Sequence, residues 1–155
     1  MNEQKIVSAE RMIQAPADLI FELIADPAQQ PRWDGNENLA RAAGQQRVQH
    51  VGDVFAMTLT TGGVRENHVC EFIENQLIAW RPAEPGSEPI GHLWRWELEP
   101  AGADATLVRH SYDYSQLPAN DERRQRRAAA TGTEQLAGSL ARLADLAETL
   151  AGSGR

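Results

Sequence analysis

The side chains best suited to chemistry lie in two neighbouring segments, 91–99 and 105–114, which alternate in the manner of β-strands. One face of this predicted hairpin carries His92, Trp94, Trp96, Leu98, Thr106, Val108, His110, Tyr112 and Tyr114. Arg95, Glu97 and Glu99 occupy the opposite face of the first strand, so the aromatic face is expected to point inward. Such a face would give a cavity apolar walls and a few polar tips that orient a ligand. The alternative is that the rings simply fill the core.

Proton transfer is the chemistry that these side chains could perform. His68 lies in a further predicted strand, 64–74, inside the polar run 65–68, which is unusual for the middle of a sheet and is consistent with the polar end of a cavity. His68, His110 and Tyr112 are therefore the candidates for general acid or base. A single histidine in a strand is, however, more often structural than catalytic.

The sequence does not indicate metal binding, disulfide formation or phosphate binding by a glycine-rich loop. The four histidines lack the close spacings of zinc sites, and the single cysteine, Cys70, allows no internal disulfide and is predicted to be a small core residue. The glycines of Thr61-Gly62-Gly63 lead into a strand, whereas a phosphate-binding loop leads into a helix. We therefore expect no metal site and no cofactor.

The charge balance argues against nucleic-acid binding, because 15 basic and 22 acidic residues give a net charge of −7. The run Arg123–Arg127 holds four arginines in five positions and is the exception. A solvated helix face is the simpler interpretation of this run, and a site for a phosphate group or a partner protein is the alternative.

Length and hydropathy predict a single domain over residues 1–155 with a sizeable core. No apolar run has the length of a membrane span or the character of a signal peptide, so a cytoplasmic location is expected.

The element that must organise this domain is a long C-terminal helix between Pro118 and Leu150. An apolar stripe recurs at steps of three and four along it, formed by Leu136, Leu140, Leu143, Ala147 and Leu150. Asn120 or Asp121 is a plausible N-cap, and Thr131-Gly132-Thr133 is expected to weaken or bend the helix.

The chain before this helix reads as one strand, two short helices and then a series of antiparallel strands. The first strand is predicted at 5–14, a short helix opens at Pro16, and a second short helix follows at 27–33. After an irregular segment at 34–46, further strands are predicted at 48–51, 54–61, 64–74, 77–81, 91–99 and 105–114, with a proline-rich loop at 82–89.

At this level the chain resembles the START / Bet v 1-like (SRPBCC) superfamily, in particular its polyketide cyclase/dehydrase-like branch. The resemblance rests on the segments Ala15-Pro16-Ala17-Asp18-Leu19-Ile20-Phe21, Pro31-Arg32-Trp33, Val51-Gly52-Asp53-Val54-Phe55, Leu77-Ile78-Ala79-Trp80-Arg81 and Trp94-Arg95-Trp96-Glu97-Leu98-Glu99-Pro100. It implies an α+β helix-grip fold, in which an antiparallel sheet of about seven strands surrounds the long helix and a hydrophobic cavity lies between them.

The resulting hypothesis is that a small hydrophobic or amphipathic molecule binds in this cavity. The residues predicted to bind it are Trp33, His68, Trp80, His92, Trp94, Trp96, His110, Tyr112, Leu136 and Leu140. The alternative is a polyketide cyclase, aromatase or dehydratase that uses the same cavity. A third possibility is an interaction module that acts through Arg123–Arg127, and the oligomeric state, monomer or dimer, is left open.

Overall fold

A computed structural model describes residues 5–34, 39–42 and 44–153. The strands are β1 (Ile6–Ile13), β2 (Leu39–Arg41), β3 (Val54–Leu59), β4 (Val64–Ile73), β5 (Leu77–Ala83), β6 (Leu93–Pro100) and β7 (Thr106–Asp113). The helices are α1 (Ala17–Ala25), a 3₁₀ helix (Pro27–Arg32), α2 (Glu122–Ala129) and α3 (Thr133–Ser153).

The seven strands form one antiparallel sheet in the order β1-β7-β6-β5-β4-β3-β2. From β2 to β7 each strand pairs with the next along the chain, and β1 joins the sheet beside β7. The predicted hairpin is confirmed: Trp94 lies opposite Tyr112, and Trp96 lies opposite His110. The sheet and the long helix have the α+β helix-grip arrangement predicted from the sequence.

The predicted apolar stripe of the C-terminal helix is confirmed. Leu136, Leu140, Leu143 and Ala147 are all at most 1% exposed, and α3 packs against β1, β7 and α1. Since these elements meet at one end of the sheet, the stripe closes the main core on that side. No helix in the described part of the chain combines the length and apolar character needed to cross a bilayer.

The helix predicted to begin near Pro118 is two helices, as the weak Thr131-Gly132-Thr133 segment suggested. Asp121 is the N-cap of α2, and its side chain accepts a hydrogen bond from the Arg124 backbone N–H. At the break, the Gln135 side chain accepts from the Gly132 N–H at 2.8 Å and donates to the Ala130 carbonyl at 3.2 Å. These bonds satisfy backbone groups that the interruption leaves without helical partners.

Segment 48–51, predicted as a strand, is not one. The Asp53 carboxylate accepts hydrogen bonds from the backbone N–H groups of Gln49 and His50, at 2.8 and 3.2 Å. These donors are therefore satisfied locally rather than by a strand partner. The first partner of β3 is instead the short strand β2, which lies in the segment predicted to be irregular.

Strand β5 extends two residues further than predicted, through Pro82 to Ala83. Its pairing with β6 ends at Trp80, while its pairing with β4 continues through Pro82 and Ala83. A proline is tolerated there because β5 has only one hydrogen-bonded neighbour at that point.

Candidate ligand-binding cavity

A cavity of about 460 Å³ lies over the inner face of strands β3 to β7 and beneath the 3₁₀ helix and the α2–α3 junction. This volume falls within the range of small-molecule sites. Its apolar lining residues are Trp33, Leu39, Met57, Leu59, Trp80, Pro82, Trp94 and Trp96. Its polar lining residues are Gln30, Asp34, Thr61, Arg65, Asn67, His92, His110, Tyr112, Arg127, Thr131 and Ser139.

All four tryptophans of the protein line this cavity. The Trp33 indole N–H donates to the Leu23 carbonyl at 2.9 Å, which fixes the ring between α1 and the sheet. Its ring meets that of Trp96 edge to face, with centroids 5.2 Å apart. Trp80 packs in the same manner against Phe55 at 5.3 Å. Trp33 and Trp80 are therefore held in place by α1, by Phe55 and by Trp96.

His110 lies in a stack of aromatic rings on the cavity floor. Its ring is nearly parallel to those of Trp96 and Trp94, with centroid distances of 3.6 and 5.5 Å. Its Nδ1 lies 3.1 Å from the carbonyl oxygen of Arg95, which can only accept, so Nδ1 carries the proton and Nε2 is an acceptor. Burial lowers the pKa of His110 to about 3, so the ring is neutral at physiological pH.

The cavity mouth is formed where the end of β5, the start of β6 and α2 meet. His92 lies there, just before β6, and its pKa is lowered to about 4, first by burial and then by the nearby positive charges of Arg65, Arg124 and Arg81. Gly91 precedes it with φ of +138°, and a Cβ at this position would lie 2.4 Å from the carbonyl oxygen of Gln116. A glycine is therefore required for the loop after β7 to pack here.

Two polar side chains that line the cavity have hydrogen-bonding capacity that the described residues do not use. Asn67 is 6% exposed and Tyr112 is 5% exposed, yet neither side chain forms a hydrogen bond to another described residue. Burial, followed by the neighbouring Tyr114, raises the pKa of Tyr112 to about 12, so its hydroxyl is a neutral donor and acceptor. The polar atoms of Asn67 and Tyr112 are not among the fully buried atoms without a partner, so they reach open space and are available to a molecule in the cavity.

Most of the predicted site residues line the cavity, but His68, Leu136 and Leu140 do not. In β4 it is Asn67 and Val69 that are buried toward the interior, so His68 between them points to the other face. Regular alternation along β4 would place His68 on the same face as Phe72, which contacts the core residue Phe21. His68 and Phe72 point to opposite faces of the sheet because a β-bulge lies between them.

The bulge follows from the pairing of β4 with β5. Val69 lies opposite Trp80 and Glu71 lies opposite Ala79, so Cys70 is an extra residue with no residue of β5 paired opposite it. An extra residue reverses the alternation of side chains beyond it. It also leaves Cys70 exposed, which corrects the prediction of a core cysteine.

Leu136 and Leu140 are used entirely for packing. Leu140 belongs to the main core, while Leu136 packs with Tyr112, Tyr114, Leu117 and Ala128 in a second cluster. The residue that α3 contributes to the cavity is Ser139. The leucine stripe therefore supports the cavity from behind rather than lining it.

Sequence reasoning did not identify Met57, Leu59 and Arg127 as lining residues, whereas Arg65 and Asn67 belong to the polar run 65–68 that it related to the polar end of a cavity. Alternation in β3 carries a signal for Met57 and Leu59, because they share a face with the fully buried Phe55. No local pattern could identify Arg127, because its position depends on how α2 packs over the end of β5.

The described residues contain no cluster of three or more His, Cys, Asp or Glu side chains that could hold a metal ion.

The architecture and the cavity define a helix-grip protein of the START type, and comparisons with known proteins support this class. Residues 4–148 match the family described as polyketide cyclase / dehydrase and lipid transport. The chain belongs to this family, and thus to the superfamily that it resembles in sequence.

A curated relative is the uncharacterised protein Rv0088 of Mycobacterium tuberculosis. It is 29% identical over 111 residues, which are 70% of this chain and 47% of that protein. The chain therefore spans about half the length of this relative.

Solved structures share the fold at low sequence identity. The protein MLL2253 from Mesorhizobium loti has a TM-score of 0.69 and 18% identity, covering 93% of this chain and 97% of that one. A START superfamily protein from Mycobacterium smegmatis has a TM-score of 0.66 and 18% identity, covering 94% and 98%. The Aha1 dimer from Colwellia psychrerythraea has a TM-score of 0.60 and 18% identity, covering 94% and 96%.

Proposed function

We propose that this protein binds a small hydrophobic or amphipathic molecule in the cavity between the sheet and the C-terminal helices. The observation that carries the proposal is a cavity of about 460 Å³ whose walls hold all four tryptophans and whose lining includes Asn67 and Tyr112, which form no side-chain hydrogen bond to another described residue. Burial of apolar ligand surface against the indole rings would supply most of the affinity. Asn67, Tyr112 and the Nε2 atom of His110 would fix the orientation of the ligand through hydrogen bonds.

The pKa values in the cavity favour binding over acid–base catalysis. A catalytic acid or base works best when its pKa lies near the operating pH. The pKa values of His110 and His92 are lowered to about 3 and 4, and that of Tyr112 is raised to about 12. At neutral pH these groups are neutral hydrogen-bonding partners, and none of them readily gains or loses a proton.

The test is a titration monitored by intrinsic tryptophan fluorescence. Because all four tryptophans line the cavity, a ligand that enters it should change the emission directly. A panel of hydrophobic molecules, linear and bicyclic, would be titrated below their aggregation concentrations. We expect saturable changes in fluorescence, with micromolar dissociation constants, for at least one molecule of the panel.

Neighbouring positions on β4 supply a matched pair of variants. Asn67→Phe fills the cavity and should abolish the change, whereas His68→Phe points to the opposite face and should leave it intact. Equal titrations for both variants, or no saturable change in the native protein, would contradict the proposal.

A cyclase- or dehydratase-type activity in the same cavity is the second candidate. The observation that favours it is that the free Nε2 of His110 lies on the same strand face as the free hydroxyl of Tyr112, so both could contact one substrate. A His110→Gln variant should then keep its affinity for a polyketide-like substrate and lose turnover. Unchanged turnover in this variant would remove His110 from any such mechanism.

A further inference from the structure

A second groove, of about 450 Å³, adjoins the cavity and opens beside α2. We call it the vestibule. It shares with the cavity the lining residues Arg65, Pro82, His92, Tyr112 and Arg127. The two spaces therefore adjoin each other at these side chains, and a ligand long enough to leave the cavity on this side would reach the vestibule.

The vestibule is rich in arginine. Arg65, Arg123, Arg124 and Arg127 line it, together with the two acidic residues Glu84 and Asp121. Both carboxylates are engaged by the same guanidinium, because Arg124 lies 2.7 Å from Asp121 and 3.7 Å from Glu84. Arg65, Arg123 and Arg127 have no carboxylate partner among the described residues.

Several arginines elsewhere in the described structure are paired with carboxylates. Arg47 pairs with Glu22 and Glu74, Arg95 pairs with Glu71, and Arg109 pairs with Glu10, as follows from nitrogen–oxygen distances of 2.6 to 3.1 Å. In a chain with a net charge of −7, acidic residues are plentiful. Arginines outside the vestibule, such as Arg11 and Arg126, also lack a carboxylate partner in the described part of the chain, but the vestibule brings three such arginines together around one space.

The electrostatic effect of these arginines reaches the ring that separates the two spaces. After burial, the charges of Arg65 and Arg124 are among the causes that lower the pKa of His92. The same field favours a negative charge at this point, because opposite charges attract most strongly where solvent is partly excluded.

We propose that the ligand is an anionic amphiphile whose oxyanion group is held by Arg65 and Arg127 at the vestibule while its apolar body lies among the tryptophans. This inference rests on the proposed function and specifies the chemical class of its ligand. Guanidinium groups suit this role because they donate two parallel hydrogen bonds to a carboxylate or a phosphate. Arg123 adds positive charge at the outer rim.

The experiment varies the head group while it keeps the hydrophobic body constant. A linear twelve-carbon chain and a naphthalene ring system would each be used as carboxylate, phosphate monoester, primary alcohol and primary amine. Binding to the native protein would be measured by tryptophan fluorescence at low and high salt. We expect one or both oxyanions to bind roughly 10- to 100-fold more tightly than the alcohol, the effect of one or two charged hydrogen bonds.

The variants assign this preference to particular residues. Arg127→Gln and Arg65→Gln should each remove most of the difference between oxyanion and alcohol and leave the affinity for the alcohol unchanged. Arg126→Gln makes the same charge change on the same helix at a position that lines neither space, and it should have no effect. Because Arg127 and Arg126 are both exposed, neither substitution should impair folding.

The possible outcomes distinguish the inference of an anionic ligand from the broader proposal that the cavity binds a hydrophobic molecule. A preference that is lost in the Arg127 variant and kept in the Arg126 variant supports the inference, and the better of the two oxyanions identifies the head group. Equal binding of all head groups would overturn the inference and leave the proposed function standing. Absence of binding by every member of both series would overturn both.

Discussion

At the scale of single residues, the cavity depends on rings that have two separate roles. Trp96 is 1% exposed and lies against both His110 and Trp33. Trp94 is only partly buried and stacks on His110 and Tyr112 from the open side. The first ring therefore holds the wall together, while the second offers a face to a ligand.

Substituting the two tryptophans should separate stability from binding. Trp96→Ala should lower the free energy of unfolding by about 3–5 kcal/mol, the usual cost of truncating a buried aromatic side chain. Trp94→Ala should cost less stability and weaken the binding of the twelve-carbon carboxylate at least about tenfold, since the ligand loses an aromatic contact surface. Urea unfolding and fluorescence titration would measure the two effects. An unchanged affinity in Trp94→Ala would contradict the role assigned to this ring.

The buried histidines should make stability depend on pH in a defined window. The pKa values of His110 and His92 are lowered from 6.5 to about 3 and 4 in the folded protein. Between pH 6.5 and these lowered pKa values, the two histidines bind protons in the unfolded chain but stay neutral in the folded protein. Stability is therefore fully present above pH 6.5 and is lost as the pH falls, by about 1.4 kcal/mol per unit for each histidine.

The variant His110→Phe keeps the ring stack and removes one of these titrations. We expect its free energy of unfolding, measured in urea between pH 7 and pH 4.5, to fall less steeply than that of the native protein. The difference should approach about 1.4 kcal/mol per pH unit. Parallel curves for the two proteins would show that His110 is not excluded from protonation in the folded state.

At the scale of elements, α2 is a weakly anchored part of the cavity lining. Ala128 is its one buried residue among those described. Its other attachments are polar: the Gln125 amide donates to the carbonyls of Leu117 and Pro118, and its oxygen accepts from the Lys5 ammonium at 3.1 Å. An element held by few apolar contacts opens more easily than the core around it.

Hydrogen exchange should therefore distinguish the two C-terminal helices. Amides of α2 should exchange faster than those of α3, and Gln125→Ala should accelerate α2 roughly tenfold while α3 is unchanged, because about 1.4 kcal/mol of local hydrogen bonding is lost. Arg126→Ala, an exposed position on the same helix, is the control and should exchange as the native protein does. Equal protection of both helices would contradict this account of α2.

The elements were largely predictable from the sequence, and the exceptions have specific causes. Alternation of Trp94, Trp96, His110 and Tyr112 correctly predicted the inner face of the last hairpin, because β6 and β7 pair without a bulge. In β4 the same reasoning misplaced His68, because a bulge reverses alternation and leaves no local mark in the sequence. The residues that α2 and the 3₁₀ helix contribute to the cavity lining depend on tertiary packing, which the periodicity of the sequence does not reveal.

At the scale of the whole molecule, the charge distribution and the shape of the cavity agree. A chain with a net charge of −7 gathers three arginines without carboxylate partners among the described residues, Arg65, Arg123 and Arg127, beside the mouth of an aromatic cavity. The family match supports the fold, and the cavity lining suggests the kind of ligand. Together these features support the proposal that the cavity binds an amphipathic molecule whose charged group lies beside α2.

Native mass spectrometry of the purified protein, followed by denaturing extraction of any bound molecule, tests the central claim most directly. We expect a bound species that is released on denaturation, with an apolar body that fits a cavity of about 460 Å³. The Asn67→Phe variant should carry much less of it than His68→Phe does. A mass equal to that of the chain alone, unchanged after incubation with the oxyanion, alcohol and amine series, would contradict the account.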